Sequence, residues 1–500
     1  MADYDAIVIG AGNGGLTASC ALAQKGLKVL LLERHTIPGG CGTSFCRGRF
    51  EFEVALHQLS GLGTPEKPGP LRLTFDSLGI TDDLEFVEAP DLYQVAMPGG
   101  FRLPLKTDIT QVIEALQQKF PHEKNEIRSL FDLMAQFAQD MMGAFIFRDP
   151  APSREKYPTL YAYAIRDVES VLNERLKDPL LKAVIAAYWG YLGVPPSRLA
   201  FAYLAMLFFQ YTEFKPFHVK GGSQAMSNAI FNKFLSHGGE ARFNCGAKKI
   251  VVENGAVKSV ITEEGDELSA DYVVSNASQA YTYINMMDRS QVPEDVITEI
   301  RSRNVAISAF TMFIGYDCEP EELGITESMN FLIADADISM DKIINNMWNV
   351  GIRDDFMAFS CYDIPDPDFS PPGTCQTNTV ALKYGDAWLN IPPHKYYDVK
   401  FRCAEDMLHR MEQIYPDLRK HIEEIEIATP MTFMRYLGHP GGSIYGYEQL
   451  IKDSLFFQPD RKSPIRGLYF AGSWAGDCGF EPTLNSGNAV ARAITRQLGK

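Results

Sequence analysis

No run of apolar residues in this 500-residue chain approaches the roughly 20 needed to cross a bilayer. The longest, Leu199 to Phe209, is about half that length, so an integral membrane protein is excluded. Basic charge is also short: 47 lysines and arginines face 63 aspartates and glutamates, for a net charge of -16. Such a surface repels phosphate backbones and anionic headgroups, and nucleic acid is not an expected partner. A local patch that rests the protein on a membrane is still compatible with this average. The nine cysteines (Cys20, Cys41, Cys46, Cys245, Cys318, Cys361, Cys375, Cys403 and Cys478) are odd in number and show no framework spacing. A reducing, cytoplasmic setting is therefore expected rather than a disulfide scaffold. His35, Cys41 and Cys46 give no closed four-ligand spacing, so no metal site is expected. A GxSxG elbow, a P-loop, internal repeats and low-complexity tracts are all missing. The first strand begins by about Tyr4, so no signal or transit peptide is expected ahead of it.

What remains is an ordinary enzyme-like balance of 46% apolar and 22% charged residues. The length is several times the usual domain of about 100 to 150 residues, so two or more domains are expected.

The opening residues carry the clearest chemistry. Asp5-Ala6-Ile7-Val8-Ile9 reads as a buried strand, Gly10-Ala11-Gly12-Asn13-Gly14-Gly15 as a tight turn, and Leu16 to Lys25 as a helix. Gly10 would permit the turn, Gly12 would let the backbone approach a pyrophosphate, and Gly15 would let the helix lie close on the strand. The helix N-terminus then presents free amides and its positive dipole end to the phosphates. Gly26 ends the helix, Leu27 to Leu32 form a second strand, and Glu33 closes that strand where an acid would hold a ribose hydroxyl. Together these mark a dinucleotide site. FAD is favoured over a nicotinamide because Arg34 follows the acid and Pro38-Gly39-Gly40 extends the loop, where Gly39 and Gly40 carry the backbone past the cofactor.

Glu33-Arg34-His35-Thr36-Ile37-Pro38-Gly39-Gly40, followed by Gly48-Arg49-Phe50-Glu51-Phe52-Glu53-Val54, resembles the phytoene desaturase, carotenoid isomerase and retinol saturase family. Lys220-Gly221-Gly222-Ser223-Gln224-Ala225-Met226 and Asp271-Tyr272-Val273-Val274-Ser275-Asn276-Ala277 look like its second FAD-contacting portion. Thr429-Pro430 through Arg435-Tyr436 with Pro440-Gly441-Gly442-Ser443-Ile444-Tyr445-Gly446, and then Gly467 to Gly472, resemble its segments near the flavin. The resemblance runs from end to end. It implies an α/β fold in which a Rossmann-like FAD-binding domain is interrupted by a mixed helical and sheet substrate domain. It also adds Ala247, Gly472, Ser473, Glu481, Pro482 and Thr483 to the cofactor contacts. One departure stands out. Many members carry an aspartate after the last strand's glycine, and this chain has Ser473, with Asp477 and Glu481 further along.

Along the chain, residues 1–65, 216–285 and 426–500 are assigned to the FAD-binding domain. Residues 66–215 are assigned to a helical, substrate- or membrane-facing region, and 286–425 to a substrate domain with β-sheet. Amphipathic segments at Asp108 to Lys119, Glu126 to Met142 and Val168 to Ala187 carry the helical assignment. A hairpin is expected around Asn254-Gly255, a strand over Ala306 to Tyr316, and a final helix from Ser486 to Gln497. Amides behind Pro482-Thr483 would favour negative charge on a bound flavin.

Aromatic residues gather in Tyr188-Trp189-Gly190-Tyr191 and Phe201 to Tyr211, either as helix core or as the wall of a long apolar tunnel. Catalytic candidates are Tyr445, His57 and Tyr436, with His439 and Tyr447 nearby. No acid–base dyad emerges. The expected activity is hydride transfer at flavin N5 to or from carbon–carbon bonds of a long apolar isoprenoid or polyene: desaturation, saturation or cis–trans isomerisation. The electron donor or acceptor and the oligomeric state stay open. Two other readings remain at this point, an FAD amine oxidase and a non-catalytic flavin-containing lipid-binding protein.

Overall fold

The computed structural model describes residues 2–146, 149–334, 340–354, 356–453, 463–476 and 478–499. Strand Tyr4–Ile9, helix Asn13–Gln24 and strand Val29–Leu32 form the opening βαβ unit. Ala6 and Val8 turn towards the core shared with helices Asn13–Gln24, Gly222–Ser236 and Phe480–Gln497. Ile7 and Ile9 turn the other way, into a second core beneath strands 247–262. Burial on both faces is why this strand reads as an unbroken apolar run instead of an alternating one.

Five parallel strands follow the order Leu468–Phe470, Glu267–Ser275, Tyr4–Ile9, Val29–Leu32 and Glu240–Arg242. The sheet is thus assembled from three separate stretches of chain. The Asn254-Gly255 hairpin forms between Ala247–Glu253 and Ala256–Thr262, with both turn residues at positive φ (52° and 72°), and it continues antiparallel onto Glu267–Ser275.

A second sheet runs Ile422–Ala428, Ser308–Tyr316, Cys375–Lys383, Met357–Cys361, Met329–Leu332, Asp91–Met97 and Phe101–Lys106. Its strands are antiparallel apart from Met329–Leu332 beside Asp91–Met97. Two of these strands lie inside 66–215, the stretch expected to be helical. Asp91–Met97 is buried along its whole length and so shows no alternation to betray it, while Gly99 and Gly100 make its turn at positive φ. Ile422–Ala428 also crosses the expected 425/426 boundary and belongs to this second sheet.

Two helices differ from expectation. Val168 to Ala187 breaks into Val168–Arg175 and Pro179–Ala186, where Asp178 caps the second piece by accepting the Leu181 amide at 3.0 Å. The final helix begins at Phe480, six residues before Ser486, because Pro482 sits in a first turn that asks no hydrogen bond of its nitrogen. Among the described residues, no helix is long and apolar enough to cross a membrane.

Candidate active site

One cavity of about 830 Å³ lies between the two sheets, reaching from the glycine turn to the face of the second sheet. At the nucleotide end, glycine is required by space. A Cβ on Gly12 would stand 2.8 Å from Asn276 Nδ2, one on Gly14 2.5 Å from the Gly472 nitrogen, and one on Gly15 1.9 Å from the Gly10 oxygen. Gly39 and Gly40 line the same end at positive φ, and a Cβ on Gly40 would meet Gly12 at 3.1 Å. The first turn of helix Asn13–Gln24 opens onto this space, with Asn276 Oδ1 accepting the Gly15 amide at 2.8 Å.

Glu33 borders the cavity and already accepts two amides, from Ala11 and His35, each at 2.7 Å. A carboxylate has roughly four lone-pair sites, so Glu33 stays free to take a sugar hydroxyl while it fixes the turn. Arg34 donates through Nη2 to the carbonyls of Tyr436 (3.0 Å) and Arg435 (3.4 Å), strapping the end of helix Pro430–Leu437 over this part of the site. Ala247, Gly472, Ser473, Glu481, Pro482 and Thr483 all line the cavity as well. Glu481 is buried and accepts the Asn485 amide at 2.8 Å, whereas Asp477 lies outside the described residues. Asn13 Oδ1 is buried beside Thr483 with no partner among the described residues, an acceptor left over in a cradle of glycines. Glycines without room for a Cβ, exposed helix amides, an acid after the second strand and an orphaned polar atom together fit FAD.

The opposite end is apolar. Alternation on the second sheet sends Phe310, Met312 and Ile314 into the far core and leaves Ala309 and Thr311 facing the cavity. Ala309 pairs with Leu382, and Thr311 with Val380, which pairs in turn with Ala358. These five small or branched side chains make a flat floor of direct cross-strand neighbours. Helix Phe201–Glu213 forms the facing wall with Tyr203, Met206, Leu207, Gln210 and Tyr211, spaced as one helical stripe. Its other stripe, including Phe201, Leu204, Ala205 and Phe208, is packed core, so the aromatic segment serves both roles that its sequence allows.

All three catalytic candidates border the cavity. The Tyr445 hydroxyl donates to the Gly190 carbonyl at 3.3 Å, and the next residue, Tyr191, stacks its ring 6.4 Å from that of His57. Tyr436 is instead 54% exposed at the rim, edge-on to His35, because the helix bearing it is held from outside by Arg34. It shares the cavity with the other two but lies at its exposed edge. His57 and His439 both border the cavity, and burial pulls each imidazole down to about 4, so both are neutral near pH 7. His439 donates its Nδ1–H to the Ser443 carbonyl at 2.8 Å. Tyr447 is buried with its ring edge-on to Trp474 at 5.0 Å.

Sequence reasoning passed over several residues that build the site. Glu53 is buried and accepts the Ser223 amide and hydroxyl and the amides of Ala55 and Leu56, fixing the loop that carries His57. Asp91 is buried against the amides of Ser328 and Met329, and burial raises its carboxyl to about 6. Asn276 stood in the quoted Ser275-Asn276-Ala277 motif, so its signal was present. Ser360 and Tyr362 reach His57 from a strand some three hundred residues away and left no local signal.

A family model for flavin-containing amine oxidoreductases matches residues 14–495. The chain belongs to that family. Its cofactor is FAD, and it is an oxidoreductase. Within this flavoprotein family, a prolycopene isomerase from an Oncidium hybrid cultivar is 25% identical over 94% of this chain and 80% of its own length. All-trans-retinol 13,14-reductase from Danio rerio is likewise 25% identical, over 96% of this chain and 84% of its own. The end-to-end resemblance to the carotenoid isomerase and retinol saturase group is therefore found again in the full-length relatives. In fold, a redesigned putrescine oxidase superposes with a TM-score of 0.68 at 14% identity, covering 99% of both chains.

Proposed function

We propose that this flavoenzyme acts on carbon–carbon bonds of a long apolar polyene of isoprenoid type, by desaturation, saturation or cis–trans isomerisation. The observation that carries this reading is the single cavity, in which the glycine cradle for FAD opens directly onto an apolar floor of Ala309, Thr311, Ala358, Val380 and Leu382. The names of the isomerase and reductase relatives support it.

Bound FAD supplies the hydride-accepting and hydride-donating chemistry. The protein's share is position and dryness. The floor and the helix stripe opposite hold an extended chain flat and exclude water from it. The Tyr445 hydroxyl, engaged by Gly190, braces the wall. His439 spends its Nδ1–H on Ser443, which leaves the Nε2 lone pair to accept a proton in any mode that releases one. Phe145 lines the cavity and is 48% exposed, and this half-exposed aromatic at the mouth suits peripheral contact with a membrane that delivers the chain.

The amine oxidase reading is weaker. Among the described lining residues, the carboxylates are Glu33 and Glu263 at the nucleotide side and Glu481 beside Gln210, so the floor of the apolar end offers an ammonium no counter-charge. The test is to incubate holoprotein with poly-cis and all-trans polyenes under oxidising and reducing conditions, analyse the products by chromatography, and assay an amine panel for peroxide. A changed double-bond count or geometry supports the proposal. Unchanged polyenes alongside peroxide from amines would overturn it.

A further inference from the structure

Strand Ser308–Tyr316 ends one residue before Asp317, and edge strand Ile422–Ala428 begins one residue after His421. The two strands pair antiparallel, so these ends lie side by side although 104 positions separate Asp317 from His421. The Asp317 amide donates to the His421 carbonyl at 2.9 Å, and His421 Nδ1 lies 2.9 Å from Asp317 Oδ1. Cys318, the next residue, is buried. A carboxylate oxygen of Asp317, Cys318 Sγ and a ring nitrogen of His421 all lie within 4.8 Å of one another. None of the three is among the described residues that line the flavin cavity, so the cluster is a separate site.

Oxygen, sulfur and nitrogen donors thus converge from two segments that the backbone already ties together. An ion pair alone accounts for Asp317 and His421, but not for a thiol beside both. Around a tetrahedral zinc ion, bonds of about 2.0 to 2.3 Å set roughly 3.3 to 3.6 Å between ligand atoms. The 2.9 Å pair is slightly short of that, and no pair is more than about 1.2 Å too wide. The side chains of Asp317 and His421 are 57% and 33% exposed, which gives an ion its way in and both side chains room to turn. The surroundings favour a cation. Glu319 and Glu322 add their negative fields to that of Asp317 at the Cys318 sulfur, while the nearby Arg49 is engaged by Glu423 at 2.6 and 2.9 Å. Thiolate and imidazole select a borderline-soft ion over calcium or magnesium, which take oxygen ligands.

We propose that Asp317, Cys318 and His421 bind one divalent zinc-type ion, which clamps edge strand Ile422–Ala428 to strand Ser308–Tyr316. Water fills the fourth place of the tetrahedron. On binding, the Cys318 thiol gives its proton to solvent and the sulfur bonds to the metal as thiolate, with no change of oxidation state. The clamp is structural: Ala309 and Thr311 of the cavity floor lie towards the other end of the same strand. Ligands 104 positions apart leave no spacing to read in the sequence.

The test takes the whole FAD-loaded chain, strips it of metal with a chelator, and titrates it with cobalt(II) and then with zinc. Wild type should take up one cobalt per chain with a thiolate-to-cobalt charge-transfer band in the difference spectrum, and zinc should displace it. Zinc should also raise the wild-type unfolding midpoint. Cys318→Ser should abolish the band. His421→Gln, at a partly exposed side chain, should weaken binding by about tenfold or more and keep its flavin. Cys46→Ser, which removes an exposed thiol, should change nothing. No saturable cobalt uptake, a wild-type band in Cys318→Ser, wild-type affinity in His421→Gln, or loss of the band in Cys46→Ser overturns the proposal. Should Cys318→Ser fail to fold, the His421→Gln titration decides.

Discussion

Glu53 takes the backbone N–H of Ser223 at 2.6 Å and its hydroxyl at 2.7 Å, so one buried carboxylate joins the loop before His57 to the start of helix Gly222–Ser236. The helix end and four donors offset the cost of burying the charge, although burial still raises this carboxyl above its usual range. Glu53→Ala should therefore cost about 2 to 4 kcal/mol, since it strands several buried donors at once. Urea unfolding midpoints check the loss, and a change under about 0.5 kcal/mol would show that the tie carries little.

The glycine cradle predicts loss of cofactor from one methyl-sized intrusion. A side chain at Gly14 must displace the Gly472 backbone and Asn276 Oδ1, at 2.5 and 2.8 Å from its Cβ. Gly14→Val should purify colourless. Asn276→Ala, which removes only the acceptor of the Gly15 amide, should fold and hold FAD about tenfold more weakly, as read from flavin released on dilution.

The same two residues show what the sequence makes legible. Strand, glycine turn, helix and Glu33 lie within about thirty residues, and each local preference agrees with the final fold. The stripe of helix Phe201–Glu213 was visible for the same reason. Asp91–Met97 was missed because its parallel partner, Met329–Leu332, lies far along the chain and burial on both faces erased its period. Tyr436, close in sequence to Gly441 and Gly442, does border the cavity, but at its exposed rim. The partners of His57 could not be read at all, because Ser360 and Tyr362 meet it only through tertiary folding.

Acid should weaken the fold through the two cavity histidines. The unfolded chain protonates histidine near 6.5, whereas the folded protein holds His57 and His439 neutral down to about 4. Their contribution is full above 6.5 and is lost as pH falls towards 4, by at most about 3 kcal/mol for each ring, and by less where cavity water screens it. Asp91 and Asp363, raised to about 6 and about 7, titrate in the opposite sense and partly mask the loss in wild type. The clean readout is the stability difference between wild type and His439→Phe, measured at pH 7 and pH 5. It should shrink at the lower pH, and a constant difference would contradict the assignment.

The apolar floor predicts a separation of cofactor binding from substrate use. Ala358 closes one side of it, paired with Val380. Ala358→Phe should lower kcat/KM for a polyene by tenfold or more and leave the flavin-to-protein ratio near wild type, with an overpacking cost of about 1 to 3 kcal/mol. Loss of flavin together with activity would place the floor under the cofactor instead.

The central claim is that FAD and a polyene share one dry cavity in redox contact. It is tested most directly by photoreducing the holoprotein without oxygen, adding a polyene, and following both visible spectra through a single turnover. The account predicts that the polyene's absorption changes on mixing, with the flavin either reoxidised by saturation or left reduced after isomerisation. A polyene spectrum unchanged with reduced and with oxidised flavin, across poly-cis and all-trans chains, would contradict it.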